Sequence, residues 1–126
     1  MSQPLLMGME GIFIPISDPK FSAYWYEQKL GFKLIYIENE AAVMKISDIS
    51  QTVVCLVRSI NHQPMIFPEN NFGVGKYYNF ISNDIEETHR LLLERDVQVD
   101  SISGDGITKF FTFYDPDGNP LGVCQS

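Results

Sequence analysis

The sequence contains few basic residues, and no segment gathers them. It has 9 Lys and Arg against 16 Asp and Glu, which gives a formal net charge of −7. A protein that binds nucleic acid needs a stripe of Lys and Arg against the phosphate backbone. The shortage therefore argues against nucleic acid as a partner, and the acidity favours solubility and a neutral or cationic partner.

Long apolar runs and cysteine are scarce as well. No apolar run approaches the ~18 residues of a membrane-spanning helix, and no Lys or Arg precedes the apolar stretch within residues 1–16, as it would in a secretory signal. Cys55 and Cys124 are the only cysteines. Each lies in an apolar, strand-like run, where we expect a buried free thiol rather than a disulfide. These features predict a cytoplasmic protein with no membrane partner.

The composition that remains is typical of a globular protein. Apolar residues make up 44% of the 126 residues and charged residues 20%, which argues against disorder. A chain of this length fits one domain and can bury its own core.

The first half of the sequence predicts one strand, one helix and three further strands. The strand covers residues 9–16, and Asp18 and Pro19 then suit the cap and first position of a helix. Gly31 supplies the left-handed residue that ends it. Residues three and four apart mark the buried helical face: Ala23, Tyr26 and Leu30. The further strands are expected at 32–37, 42–46 and 52–57.

The second half repeats this pattern after a loop over 58–75 that is rich in Pro, Asn and Gly. Asp84 begins a helix that Asp96 ends. The inner face of this helix has the expected spacing: Ile85, Thr88 and Leu92. Strands are expected at 76–82, 97–102, 107–114 and 120–125. Asp18 and Asp84, which start the two helices, are 66 residues apart, and Cys55 and Cys124 are 69 apart. The near-equal offsets indicate that the second half repeats the first. Each half leaves one sheet face uncovered, so the two halves must pair to close a core or a cleft.

These motifs resemble those of the vicinal oxygen chelate superfamily, which includes glyoxalase I, extradiol dioxygenases, fosfomycin-resistance enzymes and bleomycin-binding proteins. The resemblance lies in five segments: Ser17-Asp18, Trp25-Tyr26, Leu30-Gly31-Phe32, Asn83-Asp84 and the run from Phe113 to Asn119. It implies an α+β fold in which two βαβββ modules form curved mixed sheets around a cleft. One domain then spans 1–126, with module one at about 9–58, a linker at about 59–75 and module two at about 76–126. It also implies a homodimer, in which the loop over 58–75 is long enough either to pair both modules within one chain or to exchange them between copies.

The resemblance further implies a divalent metal held by His and Glu, but the sequence lacks these ligands. Counting from the helix caps and the terminal turn gives four expected positions: Gly11, Val53, Tyr77 and Gly122. Glycine and valine have no side-chain donor, and a lone tyrosine is not a normal site for zinc or a related metal. We therefore expect no metal site of the family's kind and no cofactor; a different site made by His62 and Glu69 is the alternative.

Side chains alternate along strands, so the sequence also predicts which residues face the cleft. We expect six strand residues to form the site together with His62 of the loop: Phe13, Tyr77, Asn79, Phe110, Thr112 and Tyr114. An aromatic lining with a few polar groups suits a small organic ligand, either aromatic or cationic. The same aromatics could instead pack the cleft shut or form a dimer contact. His62 could be a solvated loop residue, and His89 is better explained as a half-buried structural histidine.

The function predicted from this sequence is small-molecule binding of the bleomycin-resistance type, without the usual metal. One alternative is an enzyme, either a glyoxalase-like lyase with displaced ligands or a metal-free relative; it rests on analogy between folds. Another alternative is a domain whose cleft is filled and whose surface binds another protein.

Overall fold

Two mixed sheets, each carrying one helix, make up the computed structural model of this chain. It describes residues 3–125. Met1, Ser2 and Ser126 belong to the predicted domain but lie outside the described residues. Met1 and Ser2 are also part of the stretch 1–16 that lacks the features of a secretory signal.

Module one contains β1 (Gly11–Ile16), α1 (Pro19–Trp25), a π-helical turn (Tyr26–Leu30), β2 (Lys33–Ile37), β3 (Ala41–Lys45) and β4 (Val53–Arg58). Its strand order is β1-β4-β3-β2. β1 and β4 are parallel, whereas the other neighbouring strands are antiparallel.

Module two contains β5 (Asn79–Ile81), α2 (Ile85–Glu94), β6 (Gln98–Val99), β7 (Ser103–Gly104), β8 (Lys109–Tyr114) and β9 (Pro120–Gln125). The order β5-β9-β8-β6 repeats that of module one, and β7 also pairs with β8. The predicted α+β fold of two βαβββ modules is thus confirmed.

The helix boundaries follow the local signals in the sequence. The Asp18 carboxylate accepts from the backbone N–H of Lys20, and that of Asp84 accepts from Glu87. Gly31 and Asp96 end the helical segments with φ of 77° and 63°. The hydrogen bonds of the Asp18 and Asp84 carboxylates satisfy backbone N–H groups in the first turn that have no partner within the helix.

Two predicted strands are shorter in the structure. Of the strand predicted over 76–82, only Asn79–Ile81 forms β5, although the backbone carbonyl of Tyr78 still accepts a hydrogen bond from the N–H of Gly122. The strand predicted over 97–102 is interrupted between β6 and β7.

The core lies between the helices and the sheet faces that they cover. Its residues alternate along the strands, as in Ile12, Ile14 and Ile16 of β1, and Leu121 and Val123 of β9. Within residues 3–125 the opposite faces carry no helix, and their side chains are exposed or half-buried. None of the helices within residues 3–125 is long and apolar enough to cross a bilayer.

Candidate functional site

The open face of each sheet presents apolar and aromatic side chains to solvent. Phe13 on β1 is 68% exposed, Ile81 on β5 is 87% exposed and Phe110 on β8 is 43% exposed. Folding normally buries such side chains because each gains about 1.5–3 kcal/mol on leaving water. The open faces are therefore exposed apolar surfaces of a kind that single, isolated surface side chains do not form.

Five predicted site residues come together on the face of module two. The register places Asn79 of β5 and Thr112 of β8 on either side of Gly122 of β9. Phe110 and Tyr114 lie two residues from Thr112 on the same face of β8, and Tyr77 precedes β5. We call this surface, made of Tyr77, Asn79, Phe110, Thr112 and Tyr114, the module-two face.

Two predicted site residues lie elsewhere. Phe13 belongs to the open face of module one, where it is the register partner of Cys55 on β4. His62 lies exposed in the loop with a positive φ of 53°. Among the hydrogen bonds and ring contacts of residues 3–125, none connects His62 to either face.

The phenol groups of the module-two face are anchored from outside it. Tyr77 donates to the carbonyl oxygen of Ile66 at 3.1 Å, and its ring lies 4.8 Å from that of Phe67. The Tyr114 hydroxyl donates to Asp100 Oδ2 at 2.9 Å. Partial burial and this carboxylate raise the pKa of Tyr114, so the residue is a neutral phenol at physiological pH.

The residues at the expected metal positions do not fit a metal. Gly11 and Val53 are register partners in module one, but neither has a donor atom. In module two Gly122 lies opposite Asn79 rather than Tyr77. Within residues 3–125 no three His, Cys, Asp or Glu side chains are grouped so that they could hold a metal ion.

At Gly122, where the resemblance implies a carboxylate, two neighbouring side chains occupy the space. A Cβ atom added here would overlap Oδ1 of Asn79 and Cε of Lys76. The aliphatic part of Lys76 thus lies across the glycine, and its Nζ stands 5.8 Å from the centre of the Phe110 ring. Sequence reasoning missed Lys76, because strand alternation from 76 to 82 assigns it to the opposite face.

The thiols of Cys55 and Cys124 are free and half-buried on the open faces, whereas we expected them to be buried. Burial, followed by the charge of Glu38, raises the pKa of Cys55. Both influences disfavour the thiolate, so Cys55 is poorly suited to act as a nucleophile.

His89 has a structural role instead of a site role. Its Nε2 atom lies 2.8 Å from the carbonyl oxygen of Asp100, and its ring meets Phe111 edge-on at 4.9 Å.

The acidic turn 115–119 is also structural. Asp115 is buried and accepts hydrogen bonds from the Tyr26 hydroxyl, from the Asn119 amide and from two backbone N–H groups. Because these donors occupy both carboxylate oxygens, Asp115 joins the modules and is not free for catalysis.

A groove of about 600 Å³ runs beside the module-two face. Its walls are the β5 region from Tyr77 to Ile81 and the β3–β4 turn with Ile46, Ile49 and Thr52. The groove opens beside Tyr77 and Asn79 on the side of module one.

Comparison with known proteins agrees with this architecture. A profile described as the Glyoxalase/Bleomycin resistance protein/Dioxygenase superfamily matches residues 8–123. A comparison with curated proteins gives no significant match.

Solved structures share the fold at low sequence identity. TnmS3, an antibiotic binding protein from Streptomyces sp. CB03234, superposes with a TM-score of 0.78 and 21% identity, covering 98% of both chains. A protein assigned to the glyoxalase family from Bacillus anthracis superposes with a TM-score of 0.79 and 13% sequence identity, covering 99% of both chains. A glyoxalase family protein from Enterococcus faecalis superposes with a TM-score of 0.73 and 22% identity, covering 93% of this chain and 96% of the other.

Proposed function

Since this chain belongs to the glyoxalase/bleomycin resistance protein/dioxygenase superfamily, we propose that it is a cytoplasmic protein that binds a small aromatic molecule without a metal. The observation that carries this proposal is Gly122, at the position of the family's usual carboxylate, where Lys76 and Asn79 fill the available space. Binding and sequestration need no metal, whereas the family's usual chemistry does.

The chemical character of the open faces supports binding. Phe110 and Tyr77 offer ring surfaces, and Asn79 and Thr112 offer polar groups beside them. Ligand sites combine apolar walls with a few polar groups that fix orientation. The antibiotic-binding activity named for TnmS3 shows that this fold can serve such a purpose in another protein.

We further propose that a second copy of the chain completes the site. Each open face is one wall of a cleft, and Phe13 and Ile81 on the two faces are too exposed to be covering each other within one chain. Pairing the module-one face of one copy with the module-two face of another would enclose a ligand between two walls.

The proposal is tested by ligand titration in the presence of EDTA. We expect at least one of a panel of aromatic compounds of different charge (an uncharged anthraquinone, an anthraquinone sulfonate and a cationic anthracycline) to raise the melting temperature in a saturable manner. Phe110→Ala should weaken binding about tenfold, since the loss of a stacked ring costs about 1–2 kcal/mol.

Phe21→Ala is the matched control, because Phe21 is an exposed ring on α1, away from both faces. It should leave ligand affinity unchanged. If no compound shifts the melting temperature, or if both variants weaken binding equally, the proposal is wrong. Stoichiometric metal in protein purified without chelator would instead favour the enzyme alternative.

A further inference from the structure

The module-two face carries a positive charge at the position where the family's carboxylate is expected. We propose that Lys76 binds an anionic oxygen (carboxylate, sulfonate or phenolate) of a small aromatic ligand whose rings lie against Phe110. This inference rests on the proposed function and narrows its ligand class.

The first argument is the position of the Lys76 side chain. A lysine at the start of a strand normally extends into solvent, but this one is half-buried and lies across Gly122. A Cβ at residue 122 would overlap Cε and Cδ of Lys76, so any larger residue would force the lysine side chain to leave this position. The glycine therefore allows the ammonium group to stand on the face beside Phe110.

The second argument is that its charge is not neutralised within the described chain. Several basic residues pair with a carboxylate, as Lys45 does with Asp48 and Lys109 with Glu86. Lys76 makes no ion pair or hydrogen bond with any side chain in residues 3–125; its contact is the Phe110 ring. An aromatic ring attracts a cation but carries no net charge.

The third argument concerns the kind of ligand that such a site selects. An ammonium group over an aromatic ring, as Lys76 stands over Phe110, repels a cationic ligand and forms strong, charge-assisted hydrogen bonds with an anionic one. Asn79 lies beside Lys76 over Gly122 and can donate a further hydrogen bond from its amide. The site thus favours an aromatic anion over the aromatic cation that the protein's net charge alone suggests.

Two fluorescent probes that differ by one sulfonate provide the test. 1-Anilinonaphthalene-8-sulfonate is the anion, and N-phenyl-1-naphthylamine is its neutral counterpart; both are titrated into the full chain. We expect Lys76→Met to weaken anion binding about tenfold, the effect of a lost hydrogen bond to a charged group. Binding of the neutral probe should change less than about twofold, because Met keeps the apolar contact over Gly122.

Two further variants separate the charge from its position. Lys20→Met removes an exposed lysine from α1 and should affect the binding of neither probe.

Gly122→Ala keeps Lys76 but displaces its side chain, so anion binding should fall as it does in Lys76→Met. Added salt should weaken anion binding to the original chain more than to Lys76→Met. Lys76→Gln replaces Lys76→Met if circular dichroism shows that the latter is unfolded.

The outcomes distinguish this inference from the proposed function. If Lys76→Met leaves anion binding unchanged, or weakens both probes equally, Lys76 does not select the anion and only this inference falls. If neither probe binds the original chain, the module-two face is not an aromatic binding surface. Both proposals then fall together.

Discussion

At the scale of single residues, the contact between Tyr26 and Asp115 is the most informative. The Tyr26 hydroxyl donates to Asp115 Oδ2 at 2.7 Å, and both side chains are buried. Burial raises the pKa of Asp115, while hydrogen bonds from Asn119, Tyr26 and backbone amides act in the opposite direction. An acid whose folded-state pKa is raised stabilises the fold most below its unfolded pKa, and this stability is lost as pH rises through the folded pKa.

We predict that Tyr26→Phe lowers the free energy of unfolding by about 2 kcal/mol at neutral pH, since it removes a hydrogen bond to a buried charged group. The deficit should shrink below the ordinary Asp pKa of 3.8, because the protonated carboxyl depends less on the lost donor. Urea denaturation at the two pH values measures both effects.

Tyr24→Phe serves as the control, because Tyr24 is exposed on α1, two residues before Tyr26. It should change stability by less than about 0.5 kcal/mol. Equal effects of the two substitutions would contradict the role assigned to Tyr26.

At the scale of elements, the turn between β8 and β9 (residues 115–119) covers the edge of β1 that has no neighbouring strand. The carbonyl of Ile16 accepts from Ser59, and Val53 donates to Glu10, so the even-numbered carbonyls of β1 point toward β4. The backbone carbonyl of Pro15 and the N–H of Ser17 point away from β4, and side chains of the turn form hydrogen bonds with both. Asn119 donates to the carbonyl of Pro15 at 2.7 Å, and the N–H of Ser17 donates to Asp117 at 3.2 Å. Such bonds protect an exposed strand edge from pairing with another chain.

We predict that Asn119→Ala lowers the free energy of unfolding by about 3 kcal/mol, because it leaves the Pro15 carbonyl and the Met65 N–H without their partners. Limited proteolysis should also cut the loop around Met65 faster than in the original chain.

Asn71→Ala is the matched control, since Asn71 is exposed in the same loop and its side chain makes no hydrogen bond within residues 3–125. Stability and cleavage should then be unchanged. If Asn119→Ala behaved like this control, the turn would not be what holds module two to β1.

At the scale of the whole molecule, the two modules contact each other through equivalent residues. Lys29 and Arg95 each lie eleven residues after a capping Asp. The Lys29 ammonium donates to the Arg95 carbonyl at 2.6 Å, and the Arg95 guanidinium donates to the Lys29 carbonyl at 2.9 Å. These reciprocal bonds set the modules side by side at their helix ends.

We predict that the chain sediments as a dimer and that Ile81→Glu shifts it toward monomer, because the new carboxylate would lose hydration if a second copy covered the face. Sedimentation equilibrium over a range of concentrations measures the change. Leu93→Glu, on the exposed side of α2, should leave the dimer intact. A monomer at every concentration, or equal dissociation in both variants, would contradict completion of the site by a second copy.

The sequence by itself determined the elements, because their signals are local. Caps at Asp18 and Asp84 act on amides within one helical turn, and Gly31 ends a helix through its own φ. Alternation placed Ile14 inside and Phe13 outside without reference to the rest of the chain. The repeat of these signals was enough to predict two modules of one kind.

Only the tertiary structure decided how distant segments meet. Lys76 reaches the module-two face because it precedes the paired part of β5, where alternation no longer fixes direction. Gly122 meets Asn79 rather than Tyr77, since register depends on hydrogen bonds between strands far apart in sequence. Local periodicity determines whether a side chain is inside or outside, whereas the neighbours of a site depend on the packing of the whole chain.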